Sequence, residues 1–332
     1  MSNPLEPRPD ERIKDLESRV AALEERVALL AQGYSRMRHQ RRRFWLRPPL
    51  WTFEQYTPRP LAENQGHQTD DLPPHPASIA IVTPSFNQCR FLPKTIESVL
   101  SQGYPNLIYR VQDAASTDGS VDVLRSYGSR MQWASEPDHG QAQAINRGFA
   151  QCRGEIMGYL NSDDALLPGT LTYVASMFAK YPEVDLVYGH RVFIDRSDLE
   201  IGRAILPRHS SKALYWADFV PQETLFWRSR VWDEIGPFDE NLHFALDWDF
   251  LLRAQHSGFK LLRLPRFLAC FRVHDEQKTS KIYDKGYEEM QQLRHKYLGY
   301  VPSRIKLIQK MMPYLMCQFL YHWGYRFGLL RY

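Results

Sequence analysis

Asp113, Asp163 and Asp164 each stand directly after a short apolar run, in the segments VQDAASTDGS and IMGYLNSDD. Carboxylates gathered at one sheet edge repel one another unless a cation or hydrogen-bond donors offset the charge. With a phosphate ligand, such hard oxygen donors suit a divalent metal, Mg²⁺ or Mn²⁺, bridging protein and diphosphate. Further on, Asp247, Asp249 and Arg253 recur at helical spacing. A carboxylate there can serve as a general base or simply pair with the arginine. His274 is divided between ligand and structural histidine. Asp118 reads as a helix N-cap, and Asp164 is divided between metal contact and cap.

Those residues need a scaffold that brings strand ends together. From Ser78 short apolar runs alternate with helical patterns. Strands are expected at Ile79–Thr83, Leu107–Gln112, Met131–Ala134 and Glu155–Leu160. Helices are expected at Pro93–Gln102, Ser120–Tyr127, Gln141–Gln151 and Pro168–Tyr181. The alternation implies an α/β fold with βαβ units, right-handed crossovers and a mainly parallel sheet. Ligands of such sheets sit beyond the carboxyl ends of the strands, where the aspartates fall.

The runs SIAIVTPSFNQCRFLPKTIESVLSQ, QDAASTDGS, SEPDHGQAQAINRGF and GEIMGYLNSDD resemble glycosyltransferase family 2. PQETLFWRSRVWDEIGPFDE, ALDWDFLLRA and FRVH continue the resemblance in order to about residue 280. It implies a GT-A fold, a Rossmann-like sheet with helices on both faces, and an inverting enzyme that uses a nucleotide-sugar donor, UDP-sugars first. Pro84 and Phe86 would line the base pocket, Asn87 would brace the turn, and Asp113 would bond the base. Ala114-Ala115 stand where the family usually has glycines. Gly140, Gln141 and Asn146 would approach the nucleotide and donor, with Ser162 beside them. Asn161-Ser162-Asp163 occupies the metal-binding DxD position with its first aspartate replaced. Asp163 is then the expected metal ligand and His274 a second. Asp247 falls at the position of the catalytic base, and the acceptor would be a glycan or lipid-linked hydroxyl.

The flanks differ from this middle. Ile13, Leu16, Val20, Leu23, Val27, Leu30, Tyr34 and Met37 follow a 3,4 repeat, which favours a parallel two-stranded coil. Seven arginines and no acid lie between Arg26 and Phe53. The expected organisation is a coiled coil over 10–46, a linker over 47–77, a GT-A domain over 78–285 and a C-terminal helical segment over 286–332. Residues 302–332 hold five cations and no acid, interleaved with Tyr, Trp and Phe, which suits an anionic membrane surface or packing on a partner.

At 332 residues, 43% hydrophobic and 24% charged, the chain is neither disordered nor fibrous. Four scattered cysteines give no zinc or disulfide framework. The first ten residues lack the apolar run of a signal peptide, so a cytoplasmic protein is expected, peripheral at the inner face of the plasma membrane if its tail binds lipid. The arginines follow the heptads, the reverse of the basic-zipper order, which argues against specific nucleic-acid binding. The competing function is a non-catalytic nucleotide-sugar-binding scaffold that oligomerises through its coil.

Overall fold

The computed structural model describes residues 53–61, 71–275 and 283–332. The heptad and arginine-rich stretch lie outside the described residues.

Strand β1 (Ile79–Ser85) is buried along its whole length. Ile79 and Ile81 enter one hydrophobic cluster, Ala80 and Val82 another. Period-two alternation in a strand covered on both faces produces this split, and explains the continuous apolar run. On one face lie α1 (Leu92–Leu100), α2 (Ser120–Ser126) and α4 (Thr170–Lys180); on the other, α3 (Gln141–Gln151), the short α5 (Ser211–Leu214), α6 (Ser229–Ile235) and α7 (Leu246–His256). Helix α3 lies close on β1 because residue 148 is glycine: a Cβ there would come 2.5 Å from Val82 Cγ1.

The sheet runs β3 (Gln132–Ser135), β2 (Leu107–Asp113), β1, β4 (Ile156–Tyr159), β8 (Phe226–Arg228), β6 (Leu186–Ile194), β9 (Leu261–Arg272), β5 (Ala165–Leu166), with β7 (Glu200–Ala204) on β6. The block β3-β2-β1-β4 is parallel, as expected. The remainder is mixed: β8 runs against β4 and β6, and β5 against β9. A tight turn between β6 and β7 imposes antiparallel pairing, since a parallel partner needs a long crossover.

Within the stretch expected as linker, residues 53–61 bond to β7. Gln55 N donates to Ile201 O at 2.7 Å, and Glu200 N to Arg59 O at 2.8 Å. Buried Glu200 accepts from Tyr56, Arg59 and Arg203, which offsets the cost of burying its charge.

Helices α8 (Tyr283–Leu298) and α9 (Arg304–Arg326) join the core through Leu293, Met311 and Tyr314. The inner side of α9 also carries buried Gln318 and His322, while His190 lies buried in β6. Leu206 N donates to His190 Nδ1 at 3.1 Å, and Tyr188 Oη meets His209 Nδ1 at 3.0 Å. Burial lowers all three imidazoles, that of His209 to about 4. A depressed histidine contributes stability above its unfolded value of about 6.5 and loses it as pH falls toward the folded value. His209→Gln is therefore expected to lower the melting temperature at pH 7 and to cost progressively less toward pH 4.5. Thermal melts of both chains across that range check this; a gap independent of pH would refute it. Comparing the two chains cancels the opposite contribution of the buried carboxyl groups described below.

Candidate active site

Loops after β1 and β2 lock together at the sheet's carboxyl edge. Pro84, lacking an N–H, sits where β1 has passed the end of its pairing with β4. Phe86 follows with its ring 61% exposed. Asn87 is left-handed at φ 52°; its N–H donates to Ser116 Oγ at 2.8 Å, and its Oδ1 accepts from Thr117 N at 3.0 Å. Asp118 accepts from Ser120 Oγ, Cys89 N and Ser120 N, donors that hold its carboxyl low against its desolvation; the N-cap of α2 is Gly119, so Asp118 stands one residue ahead of the cap position expected of it.

Asp113 is fully enclosed. Its carboxylate accepts from Ser116 N at 2.9 Å, Ser116 Oγ at 2.6 Å and Ser135 Oγ at 2.6 Å. Three of roughly four acceptor positions are thus filled by protein. In this arrangement Asp113 fixes the 113–116 turn, with Ala115 left-handed at φ 55° where a glycine would be unstrained.

After β4, Asn161 is a crosslink. Its Oδ1 accepts from Gln141 Nε2 at 2.6 Å; its Nδ2 donates to Gln222 Oε1 at 2.9 Å; Gln222 Nε2 donates to Tyr159 O at 2.8 Å. An aspartate at 161 would turn the contact with Gln222 Oε1 into oxygen against oxygen. Gly140, at φ 132°, caps α3 immediately before Gln141. Asn146 lies further along α3 and clamps a neighbouring loop: it donates to Phe238 O and Glu240 Oε1 and accepts from Phe238 N. Ser162 is buried, its carbonyl accepting from Thr95 Oγ1 at 2.9 Å.

Asp163 Oδ2 lies 2.9 Å from His274 Nε2, and the aspartate keeps 18% of its side chain exposed. Arg272 Nε donates to Asp163 O at 2.8 Å, holding the loop by its backbone. His274 and the Arg272 guanidinium both lie against Phe91. Asp164 is buried; burial first, then the charges of Asp163 and Glu223, push its carboxyl well above the usual range.

Asp247 opens α7 and accepts from Trp248 N at 2.8 Å. Asp249 and Arg253, two residues and six residues on, pair with each other at 2.7 Å, and Lys296 reaches Asp249 at 3.2 Å, so this pair is structural. The turn before Asp247 is held from α8: Glu289 accepts from His243 N, Phe244 N and Ala245 N at 2.7–2.9 Å.

Two further carboxyl groups join the site. Asp218 keeps solvent-exposed surface, and enclosure of its carboxyl followed by the Asp247 charge pushes it well above the usual range. Glu223 is buried, 3.5 Å from Arg191, and also raised, by burial and by Asp163 against the pull of Arg191. Asp247, Asp218, Glu223 and Asp164 all act on buried Tyr159, raising its phenol after burial itself. Glu223 lies inside the PQET run, but nothing in residue type or spacing singled out Asp218.

A cation fits this donor set. Asp163 and His274 offer an oxygen and a nitrogen side by side, and burial followed by the Asp163 charge raises the neighbouring carboxyl groups of Asp164 and Glu223. Among the described residues no group of three or more His, Cys, Asp or Glu side chains is arranged to hold a metal. A metal here would rest on two protein donors, with phosphate and water completing it.

The family model described as glycosyl transferase family 2 matches residues 80–244. The domain belongs to glycosyl transferase family 2. An uncharacterized glycosyltransferase of Rickettsia typhi is 24% identical over 218 residues, which cover 61% of this chain and 66% of the relative. Among solved structures, residues 1–349 of Staphylococcus aureus TarS, in complex with UDP-GlcNAc, superimpose with a TM-score of 0.55 at 16% identity. That match covers 74% of this chain and 73% of the other. A mannosyltransferase from Pyrobaculum calidifontis, in complex with GDP-Man and Mn²⁺, gives 0.55 at 17% identity, covering 89% and 80%. The family 2 domain thus has the expected GT-A fold.

Proposed function

We propose that the chain is an inverting glycosyltransferase, carrying a sugar from a nucleoside-diphosphate donor to an acceptor hydroxyl. The observation that carries this reading is the gathering of Asp247, Asp218, Glu223 and Asp164 around Tyr159 at the end of β4, with the Asp163–His274 pair beside Asp164 and Glu223. One end of such a site can take a diphosphate and the other an acceptor.

Asp247 removes the acceptor proton as that oxygen attacks the anomeric carbon. Asp218 stands beside it, its carboxyl raised by enclosure and by the Asp247 charge. Exposed Phe86 offers the base a stacking surface, and the Asn87–Ser116 lock fixes the pocket before the donor arrives. Gln141 and Asn161 hold each other at the mouth of α3, beside Ser162. Asp163 and His274 would hold Mn²⁺ or Mg²⁺, which supplies charge stabilisation for the departing diphosphate. UDP is the nucleotide we favour, a UDP-sugar complex being among the structural neighbours. The acceptor is a glycan or lipid-linked hydroxyl. The four cysteines are unpaired, which fits a reducing cytoplasm.

The test is a thermal-shift screen with UDP-, GDP- and dTDP-sugars, with and without Mn²⁺. One nucleotide class should raise the melting temperature by several degrees and do so only with metal. No shift with any donor would sink the donor site. A shift without turnover on any acceptor would favour the scaffold.

A further inference from the structure

Helix α9 has two apolar faces and only one of them is covered. Met311, Tyr314, Gln318 and His322 face the domain. Ile305, Ile308, Met312, Met316, Phe319, Trp323 and Phe327 recur at spacings of 3, 4, 4, 3, 4 and 4, a single stripe on the opposite face. Ile305 is 70% exposed, Met316 60% and Phe327 71%, with Leu320 beside them at 66%. The stripe follows a helix of 23 residues, about 35 Å long. An outward apolar row of this length marks a contact surface.

The charges say what it contacts. By the 3.6-residue repeat Lys306 falls beside one border of the stripe and Arg326 at the other, while Lys310 lies nearer the domain, its Nζ 5.8 Å from the Trp216 ring centroid. Residues 302–332 contain five cations and no acid. Trp323 stacks on Phe327 with centroids 5.3 Å apart, and the Arg326 guanidinium lies 5.8 Å from the Trp323 ring. An apolar row edged by cations, with an amphipathic aromatic in it, matches the boundary between acyl chains and anionic headgroups. A second copy seated on the same face would set cations against cations. Among the described residues no helix is long and apolar enough to cross a membrane. We propose that α9 lies flat on an anionic lipid surface through this stripe.

The consequence for the site is geometric. Tyr314 of α9 stacks against Phe219, 4.3 Å between centroids, next to Asp218. Docking α9 therefore holds the Asp218 side of the cleft at the bilayer, where a lipid-linked acceptor resides. That last step rests on the glycosyltransferase reading; the lipid contact itself does not.

Flotation of the full chain with vesicles decides the matter, using phosphatidylcholine alone and phosphatidylcholine mixed with phosphatidylglycerol. The chain should float with the mixed vesicles, much less with the neutral ones, and less as salt rises. Ile308→Asp, Met312→Asp, Met316→Asp and Leu320→Asp combined should reduce flotation about tenfold or more, with circular dichroism and melting temperature unchanged because all four side chains are exposed. Lys306→Glu with Arg326→Glu, the cations at the two borders, should weaken it as well. Absence of flotation with anionic vesicles overturns the proposal. Equal flotation of the fourfold variant does too, since the binding would then belong to the arginines before residue 53. So does a fourfold variant that stays off vesicles but has a smaller mass by light scattering, because the stripe would then join copies. Failure of the donor reading would show in the nucleotide screen and leave flotation untouched.

Discussion

Asp247→Asn is expected to lower kcat by about 10³-fold while leaving the affinity for the donor nucleotide within about twofold. The amide keeps an oxygen for Trp248 N, so the first turn of α7 survives the change. What it loses is a basic site for the acceptor proton. The Asp218 carboxyl gives a second readout, because the Asp247 charge is, after burial, the larger of the two charges that raise it. With that charge gone, Asp218 should titrate closer to the ordinary carboxylate range, which carboxyl-resolved NMR can follow. Normal turnover by Asp247→Asn would remove it from the chemistry. Lost turnover with lost donor binding would make it a structural residue of the cleft.

Asp163→Ala should abolish the metal-dependent part of donor binding and reduce turnover by about 10²-fold. The backbone of this loop is held by Arg272 through the Asp163 carbonyl and by Thr95 through those of Ser162 and Asp164. The side chain can therefore be removed without releasing the turn. His274 alone is a weak hold for Mg²⁺ or Mn²⁺, which prefer oxygen. Titrating Mn²⁺ into the UDP-bound chain, with melting temperature as readout, separates metal binding from catalysis. An unchanged metal response in Asp163→Ala would place the cation elsewhere.

The half of the fold from β1 to α4 was legible in the residues. Each expected strand and helix there starts and ends within two residues of its place in the structure. Strands covered on both faces give unbroken apolar runs, and helices between them show one apolar stripe, so the two periods separate cleanly. The mixed half was not. Strand β8 has three residues and β5 two, too short to show any period. In the site, Asp163, Asp247 and His274 stood in recognisable runs. Asn146 stood in one as well, but its amide is committed to Phe238 and Glu240, contacts more than ninety positions away. Asp218 and Glu289 follow the same logic. A carboxylate is marked by what surrounds it, and neither the Asp247 charge near one nor the three N–H groups on the other is local in sequence.

The hold of Glu289 on the chain before Asp247 bears on where this protein can be divided. The family match ends at residue 244, between two of the three amides that Glu289 gathers. The limit of the family match therefore falls inside a single hydrogen-bonded turn. A fragment cut between α7 and α8 would keep every residue of the family match and still leave three peptide groups without their acceptor, in the turn just ahead of the proposed base.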